Sequence, residues 1–164
     1  MTDAYQAIID RCAGLPPLRT AVVHPVSHTV FDAVEEARAA GLIEPVLVGP
    51  AARIAAALTE AGQAPDTYEI VDTEHSHAAA ARAAQMAATG QVGAIMKGSL
   101  HSDELLGAVI HPQCGLRTER RISHAFLMLT EDYPRPFIIT DAAVNIAPDL
   151  MVKVDILHNA IVLW

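Results

Sequence analysis

The chain has 164 residues, a length that suits one domain with a sizeable core. Hydrophobic residues make up 52% of it and charged residues 18%, which excludes a disordered chain and favours a globular one. The formal net charge of −8 argues against a general nucleic-acid-binding protein, because such a protein needs a basic face, so we expect no nucleic-acid partner.

Apolar runs alternate with helical stretches along the first two thirds of the chain. The predicted strands are the runs "RTAVVHP", "EPVLVG", "TYEIVD" and "GAIMKG". The first predicted helix is stopped by Gly14. Ser27 is expected to cap the next helix, Pro50 to lie in the first turn of the third, and Thr73 to cap a fourth that runs to Thr89. None of the four strands alternates polar and apolar residues, which is typical of strands covered on both faces. The sequence therefore predicts an α/β fold with a mostly parallel sheet in an αβα sandwich.

The pattern changes after Val109. Two apolar runs, "ISHAFLML" and "RPFIITD", are joined only by "TEDYP", so they should pair as an antiparallel hairpin or lie as neighbours at the sheet edge. A last helix is predicted to start at Pro148, with an apolar stripe formed by Leu150, Val154, Leu157 and Ile161. Its four final residues are all apolar and include no stop signal. Either such a chain continues into another strand, or Trp164 docks on the core.

Cysteine usage and the absence of targeting signals predict a cytoplasmic protein. Cys12 and Cys114 lie far apart and match no metal-binding spacing, which favours two reduced thiols. The first residues, "MTDAYQAIIDRCAG", carry acids and no long apolar run, so they do not form a signal peptide. No stretch reaches the length of a membrane span, and we expect no membrane partner.

Common cofactor and metal motifs are missing from the sequence. It contains no G-x-G-x-x-G, no P-loop and no G-x-S-x-G. His75 and His77 form an H-x-H pair near a helix start, where positions i and i+2 do not share a face, so they are expected to be surface histidines. We therefore expect no metal and no cofactor.

Three short stretches stand above this background. In the first, Lys97, Gly98 and Ser99 follow a predicted strand, where ligands bind in open α/β sheets. Gly98 would let a ligand approach the backbone, and the helix end at Ser102 would receive an anion. The alternative is a simple strand-to-helix turn with an exposed lysine.

The second and third stretches are "GLRTERRISH" and "ITDAAVNIAPDL". Arginine forks such as those of Arg117 and Arg121 match phosphate oxygens, although a solvated charge run is the alternative. Asp141 follows an otherwise apolar strand and is expected to orient a polar ligand or an arginine. Asp149 is expected to serve only the start of the last helix.

Taken in order, "IMKGSLHSDELLGAV", "GLRTERRISHAFLM" and "FIITDAAVNIAPDL" resemble the phosphate acetyltransferase and phosphate butyryltransferase family. The resemblance covers roughly residues 18–159 and is expected to be closest to the butyryltransferase branch. It implies transfer of an acyl group between coenzyme A and inorganic phosphate, which are substrates and not cofactors. It also implies a first lobe like that of the isocitrate and isopropylmalate dehydrogenase fold.

The resemblance implies a set of substrate-binding residues within the three stretches. The candidates are Lys97, Gly98, Ser99, His101, Ser102, Arg117, Arg121, Ser123, Asp141 and Asn145. No catalytic residue is assigned, because the family's catalytic serine and aspartate belong to its later half. We expect one α/β domain over 1–164 that stops before the family's second lobe, and we expect a homo-oligomer. An acyltransferase impaired as this fragment is the first expectation, and a non-catalytic coenzyme A- or phosphate-binding module or an inactive fragment is the alternative.

Overall fold

A computed structural model describes residues 3–131, 133 and 135–164 of the chain. The chain divides into two compact units, one formed by Gly14–Arg117 and one that joins the residues before Gly14 with Thr118–Trp164. That the whole of 1–164 forms one domain stays a prediction. In chain order, the helices and strands are α1 (Asp3–Cys12), β1 (Leu18–Val23), α2 (His28–Ala39), β2 (Ile43–Gly49), α3 (Ala51–Glu60), β3 (Glu69–Asp72), α4 (Ser76–Ala88), β4 (Ala94–Lys97), α5 (Ser102–Val109), β5 (Ala125–Met128), β6 (Phe137–Thr140) and α6 (Leu150–Leu163).

The unit of Gly14–Arg117 is built on a four-stranded sheet in the order β3-β2-β1-β4. Each neighbouring pair of strands is parallel. At the end of β1, Val23 lies beside Val48 of β2 on one side and Lys97 of β4 on the other. The predicted α/β class with a mostly parallel sheet is therefore confirmed.

Helices cover both faces of this sheet because successive strand residues point to opposite sides. On one face, Val23 and its neighbours pack in a core with the alanine-rich α4, in which Ala83 is fully buried. On the other face, Val22 packs with Phe31 of α2 and Ile54 of α3. The alternation of Val22 and Val23 thus divides the interior into two cores, as the predicted αβα layering requires.

Two helix starts differ from the predicted ones. The helix α4 begins at Ser76 and not at Thr73, and the imidazole of His75 accepts a hydrogen bond from the Ala78 N–H. The helix α6 begins after Asp149, whose carboxylate accepts from the backbone N–H of Val152 at 2.9 Å. The expectation that Asp149 serves the helix start is therefore confirmed.

The other unit contains β5 and β6, which pair antiparallel as a separate two-stranded sheet. This is the predicted hairpin pairing, and the alternative position at the edge of the parallel sheet is wrong. The predicted connection "TEDYP" includes residues 132 and 134, which lie outside the described residues.

The helix α6 does not bury the predicted apolar stripe. Leu150, Val154, Leu157 and Ile161 are between 51% and 75% exposed. The buried residues are instead Ile156 and Ala160, one turn apart on another face of the helix. The stripe was misplaced because α6 carries apolar residues on more than one face, so periodicity alone does not select the packed one. Trp164 is 67% exposed and does not dock on a core.

Over the part of the chain that the structure describes, no helix has the length and hydropathy of a membrane span.

Candidate functional site

The carboxyl ends of β1 and β4 lie side by side, with Val23 paired to Lys97. After β1 the chain turns to α2 on one face of the sheet, whereas after β4 it turns to α5, whose Leu105 packs against the core of the opposite face. Such a divergence is the topological switch point, and in open α/β sheets the crevice outside it is where ligands bind. The two loops that leave β1 and β4 therefore form the leading candidate site of this unit.

Gly98 is required for the close approach of these two strands. A Cβ at this position would lie 2.4 Å from the carbonyl oxygen of Val23, and the Gly98 N–H donates to that same oxygen at 3.0 Å. The space beside Gly98 is thus filled by β1. The expected role of this glycine, to let a ligand approach the backbone, gives way to a packing role.

A pair of hydroxyl groups joins the two loops. The Oγ atoms of Ser27 and Ser99 are 3.0 Å apart, and Ser27 Oγ is also 3.2 Å from Oγ1 of Thr29. Ser27 holds the N-cap position of α2, but its side chain accepts no capping hydrogen bond from a backbone N–H of that helix. Its expected capping role is therefore wrong, because the hydroxyl turns toward Ser99.

His24 is a further residue of the crevice that the sequence did not single out. It is 6% exposed and has a φ of +54°, a left-handed conformation that is uncommon for a residue with a side chain. Its Nδ1 lies 2.9 Å from the Ser99 carbonyl oxygen, and its own carbonyl accepts from the Ser99 N–H at 3.0 Å. The imidazole and backbone of His24 therefore fix the position of Ser99. The only available signal was the pair of polar residues, His24 and Ser27, in "HPVS" directly after a buried strand.

Lys97 ends the edge strand β4 and is exposed. Its Nζ donates to the carbonyl oxygen of Leu100 at 2.9 Å, which draws the side chain over the loop that contains Ser99. An ammonium group has three donors, so this bond leaves two for a ligand. Exposure removes the desolvation cost that a lysine after a buried strand would otherwise carry.

The start of α5 is less suited to an anion than the sequence suggested. The helix begins at Ser102, the N-cap position is held by His101, and His101 makes no side-chain cap bond. Both residues are exposed. Because Asp103 and Glu104 occupy the first turn, their carboxylates already complement the positive end of the helix and repel a further anion.

The predicted arginines fall in different units. Arg117 is exposed in the unit of Gly14–Arg117, and Arg121 is exposed in the other. The backbone of Arg121 is held by α6, since its N–H donates to Asp155 at 3.1 Å and its carbonyl accepts from Asn159 at 2.8 Å. The same Asn159 amide donates to Ser123 Oγ at 2.9 Å. These contacts fix the backbone and leave the Arg121 guanidinium at the surface.

Asp141 organises its own loop. Its Oδ1 accepts from the backbone N–H of His124 at 3.0 Å, and its Oδ2 accepts from the Asn145 N–H at 2.9 Å and from the Asn145 side chain. Burial raises the pKa of this carboxyl, but the hydrogen bonds from Asn145, His124 and Ala143 outweigh it and hold the pKa below its usual value. Asn145 also donates to the Ile122 carbonyl at 3.0 Å. Asp141 therefore positions the backbone of 122–124, next to Arg121, and its oxygens are occupied by donors of its own chain.

The predicted candidates therefore form two local groups, one in each unit. Lys97, Gly98 and Ser99 meet His24 and Ser27 at the switch point, whereas Arg121, Ser123, Asp141 and Asn145 share the hydrogen-bonded loops of the other unit. His101, Ser102 and Arg117 lie exposed outside both groups. Within residues 3–131, 133 and 135–164, no cluster of three or more His, Cys, Asp or Glu side chains is arranged to hold a metal ion.

Comparisons with known proteins agree on one family, although no family model matches the chain. It is 49% identical over 162 residues to a phosphate acetyltransferase of Rickettsia felis, covering 97% of this chain and 46% of that protein. It is 29% identical to a phosphate butyryltransferase of Clostridium acetobutylicum, covering 98% of this chain and 54% of that protein. A solved branched-chain phosphotransacylase of Enterococcus faecalis superposes with a TM-score of 0.71 at 21% identity, covering 87% of this chain and 49% of the other.

These identities give no support to the expected closeness to the butyryltransferase branch, since the acetyltransferase match is the higher of the two. The structural match, at 21% identity, shows the fold alone. The chain spans about half the length of the curated relatives it matches. Over that half, it belongs to the phosphate acetyltransferase and phosphate butyryltransferase family.

Proposed function

We propose that this protein acts in the transfer of an acyl group between coenzyme A and inorganic phosphate. The 49% identity to a phosphate acetyltransferase over 97% of the chain carries the proposal. Coenzyme A or acyl-CoA and phosphate would be substrates, and the proposed reaction requires neither metal nor cofactor. The acyl group would be acetyl, because the match to a protein named acetyltransferase is 20 percentage points higher than that to a butyryltransferase. An isocitrate dehydrogenase-like lobe and a homo-oligomer also remain proposals.

Within the unit of Gly14–Arg117, the crevice at the ends of β1 and β4 is the proposed phosphoryl-binding element. Lys97 brings a cationic donor, and Ser27 and Ser99 bring two hydroxyls within 3.0 Å of each other. Charge-assisted hydrogen bonds are the strongest that a phosphate accepts. In a protein of net charge −8, a local cation of this kind is what offsets the repulsion of a polyanion.

A second candidate is a module that binds coenzyme A or phosphate without turnover, because the crevice offers a cation and two hydroxyls and these suffice for binding an anion. Acyl transfer needs the thioester and the phosphate in attack geometry, and a misplacement of about 1 Å can cost roughly 100-fold in rate. It also needs donors aimed at the developing oxyanion. No residue of this chain is assigned to that role.

Two lysines make a matched test, because Lys97 and Lys153 are the only lysines in the chain. Titration calorimetry with phosphate and with coenzyme A would compare wild type, Lys97→Ala and Lys153→Ala. Loss of a charge-assisted hydrogen bond is worth about 1.5–3 kcal/mol, so Lys97→Ala should weaken binding by roughly tenfold or more. Lys153→Ala, on the exposed surface of α6, should leave the affinity unchanged.

The second measurement follows thiol release from acetyl-CoA and butyryl-CoA with a chromogenic disulfide reagent, with and without phosphate. Phosphate-dependent release that disappears in Lys97→Ala would support the enzyme. Binding without such release would support the binding module. If wild type binds neither phosphate nor coenzyme A, both candidates are wrong for this chain.

A further inference from the structure

The imidazole of His24 lies across the carboxyl end of β1, between the two strands that flank it. Its Nδ1 is 2.9 Å from the carbonyl oxygen of Ser99, in the loop that follows β4. On the other side of the ring, a Cβ at Gly49, the last residue of β2, would lie 3.7 Å from the ring atom Cδ2. The ring is therefore held between the ends of β2 and β4, at the crevice that the proposed function assigns to phosphate.

The contact with Ser99 determines the hydrogen-bonding character of both ring nitrogens. A carbonyl oxygen only accepts hydrogen bonds, so Nδ1 of His24 must carry the proton that is donated to Ser99. In a neutral imidazole with its proton on Nδ1, the other nitrogen, Nε2, can only accept. The hydroxyls of Ser27 and Ser99 differ from Nε2 in this respect, because a hydroxyl can rotate to donate or to accept.

The Nε2 atom of His24 is accessible to a ligand. It makes no hydrogen bond with the residues that the structure describes. Among those residues, the side-chain nitrogens and oxygens that are buried without a partner are Thr73 Oγ1, Glu104 Oε2 and His124 Nδ1. Because Nε2 of His24 is not one of these buried atoms, it reaches the surface, although the residue as a whole is only 6% exposed. The crevice thus contains an acceptor that has no partner among the described residues.

An acceptor of this kind, close to a cation, distinguishes between tetrahedral anions. Lys97 and the two serine hydroxyls attract any dianion of this shape. At mildly alkaline pH, hydrogen phosphate and sulfate are both tetrahedral dianions, but only hydrogen phosphate retains a proton. Hydrogen phosphate can therefore donate a hydrogen bond to Nε2, whereas sulfate would place one acceptor against another. A site that hydrogen-bonds a proton of its ligand rejects the analogue that lacks this proton.

We propose that His24 makes the β1–β4 crevice specific for hydrogen phosphate over sulfate, with Nε2 accepting a hydrogen bond from the protonated phosphate oxygen. The proton stays on the phosphate, so binding involves no proton transfer. This inference rests on the proposed function, from which it takes that the crevice binds phosphate. It adds the form in which phosphate binds and the residue that recognises its proton.

Calorimetric titration of the full chain with sodium phosphate and with sodium sulfate, at mildly alkaline pH, tests the specificity. The wild type should bind phosphate about tenfold or more tightly than sulfate. Equal affinities, or tighter binding of sulfate, would overturn the inference and leave the proposed phosphate crevice standing. If neither anion binds, the phosphate-binding role of the crevice is wrong, and the inference is wrong with it.

The variant His24→Asn separates the roles of the two ring nitrogens. Asparagine tolerates a left-handed φ, and its Nδ2 follows Cγ as Nδ1 does, so it keeps a donor for Ser99 but has no atom in the place of Nε2. The variant should bind phosphate about tenfold more weakly and sulfate at least as tightly as the wild type does. His158→Asn, on the exposed surface of α6, is the matched control and should keep the full preference. An undiminished preference for phosphate in His24→Asn would overturn the role of Nε2.

NMR of the wild type gives a test that needs no folded variant. In ¹⁵N spectra of the histidine side chains at the same pH, His24 should carry its proton on Nδ1, and phosphate should shift the Nε2 resonance more than sulfate does. A proton on Nε2 and none on Nδ1, or equal shifts with the two anions, would overturn the inference.

Discussion

Replacing Gly98 with alanine should separate the two strands that form the candidate crevice. The added Cβ would lie 2.4 Å from the Val23 carbonyl oxygen and 3.1 Å from two backbone atoms of His24. Ordinary contact begins near 3.4 Å, so β4 must move from β1 by about 1 Å. The atoms in the way are backbone atoms in a paired strand, which cannot rotate aside as a flexible side chain does.

The expected cost combines two effects. Overpacking of this kind costs about 1–3 kcal/mol. The 3.0 Å bond from the Gly98 N–H to Val23 is lengthened as well, which adds about 1 kcal/mol. We therefore expect Gly98→Ala to lower the free energy of unfolding by about 2–4 kcal/mol, and to weaken phosphate binding because Ser99 moves with Gly98.

Urea unfolding followed by circular dichroism would measure the change, with Gly107→Ala as the control. Gly107 lies inside α5, and no atom lies within 4 Å of the place that an alanine methyl group would take, so alanine should stabilise that helix by about 0.5–1 kcal/mol. The same substitution thus has opposite signs at the two glycines. An unchanged unfolding midpoint for Gly98→Ala would refute the argument that close strand approach requires this glycine.

Two further predictions concern binding and assembly. Arg121→Ala should weaken coenzyme A binding about tenfold or more, whereas Arg53→Ala, on the exposed face of α3, should not; equal calorimetric affinities would remove Arg121 from the site. The exposed apolar stripe of α6 should make the chain self-associate at micromolar concentration in light scattering, and Leu157→Gln should reduce the mean mass. A monomer at every concentration would contradict the second prediction.

The parallel sheet could be predicted because its strands are continuous apolar runs bounded by helix signals. The end of β4 could also be predicted as a candidate site, since Lys97 and Ser99 follow such a run. His24 and Ser27 could not, because their proximity to Ser99 depends on the strand order β3-β2-β1-β4. Local patterns do not encode which strands are neighbours.

The sequence also could not predict the role of a side chain when that role depends on its hydrogen-bond partners. Asp141 was expected to face a ligand or an arginine, but donors from His124 and Asn145 occupy its oxygens. A single carboxylate after a strand has the same sequence pattern whether it faces a ligand or accepts hydrogen bonds from its own loop. In α6, apolar residues on several faces hid the buried pair Ile156 and Ala160.

The pH dependence of stability should be set in part by a cluster of Glu35, Arg38 and Tyr68. The Arg38 guanidinium donates two hydrogen bonds to Glu35, and the Tyr68 hydroxyl donates to the same carboxylate at 2.7 Å. The bonds from Arg38, and then that from Tyr68, lower the pKa of Glu35 to about 2. Burial, and then the bond to Glu35, raise the pKa of Tyr68 to about 12.

The two shifts act at opposite ends of the pH range. A folded-state pKa of about 2 means that the unfolded chain takes up the proton on Glu35 first, so stability is lost as pH falls from about 4.5 toward 2. A folded-state pKa of about 12 means that the unfolded chain loses the Tyr68 proton first, so stability is lost as pH rises from about 10 toward 12. Because 43% of the Arg38 side chain and 30% of the Glu35 side chain are exposed, solvent screens the pair, and the loss of stability at acid pH should be small.

Two variants separate the acid limb, which is the loss of stability below pH 4.5, from the alkaline limb, which is the loss above pH 10. Both would be measured by urea unfolding at a series of pH values. Glu35→Gln should flatten the loss between pH 4.5 and 2, while Glu36→Gln makes the same charge change on a neighbouring residue of α2 and should leave that limb as it is. Tyr68→Phe should flatten the alkaline limb and keep the ring that packs against Phe31 in the core. If Glu35→Gln and Glu36→Gln changed the acid limb equally, the hydrogen bonds to Glu35 would not be its cause, and net charge alone would explain the loss.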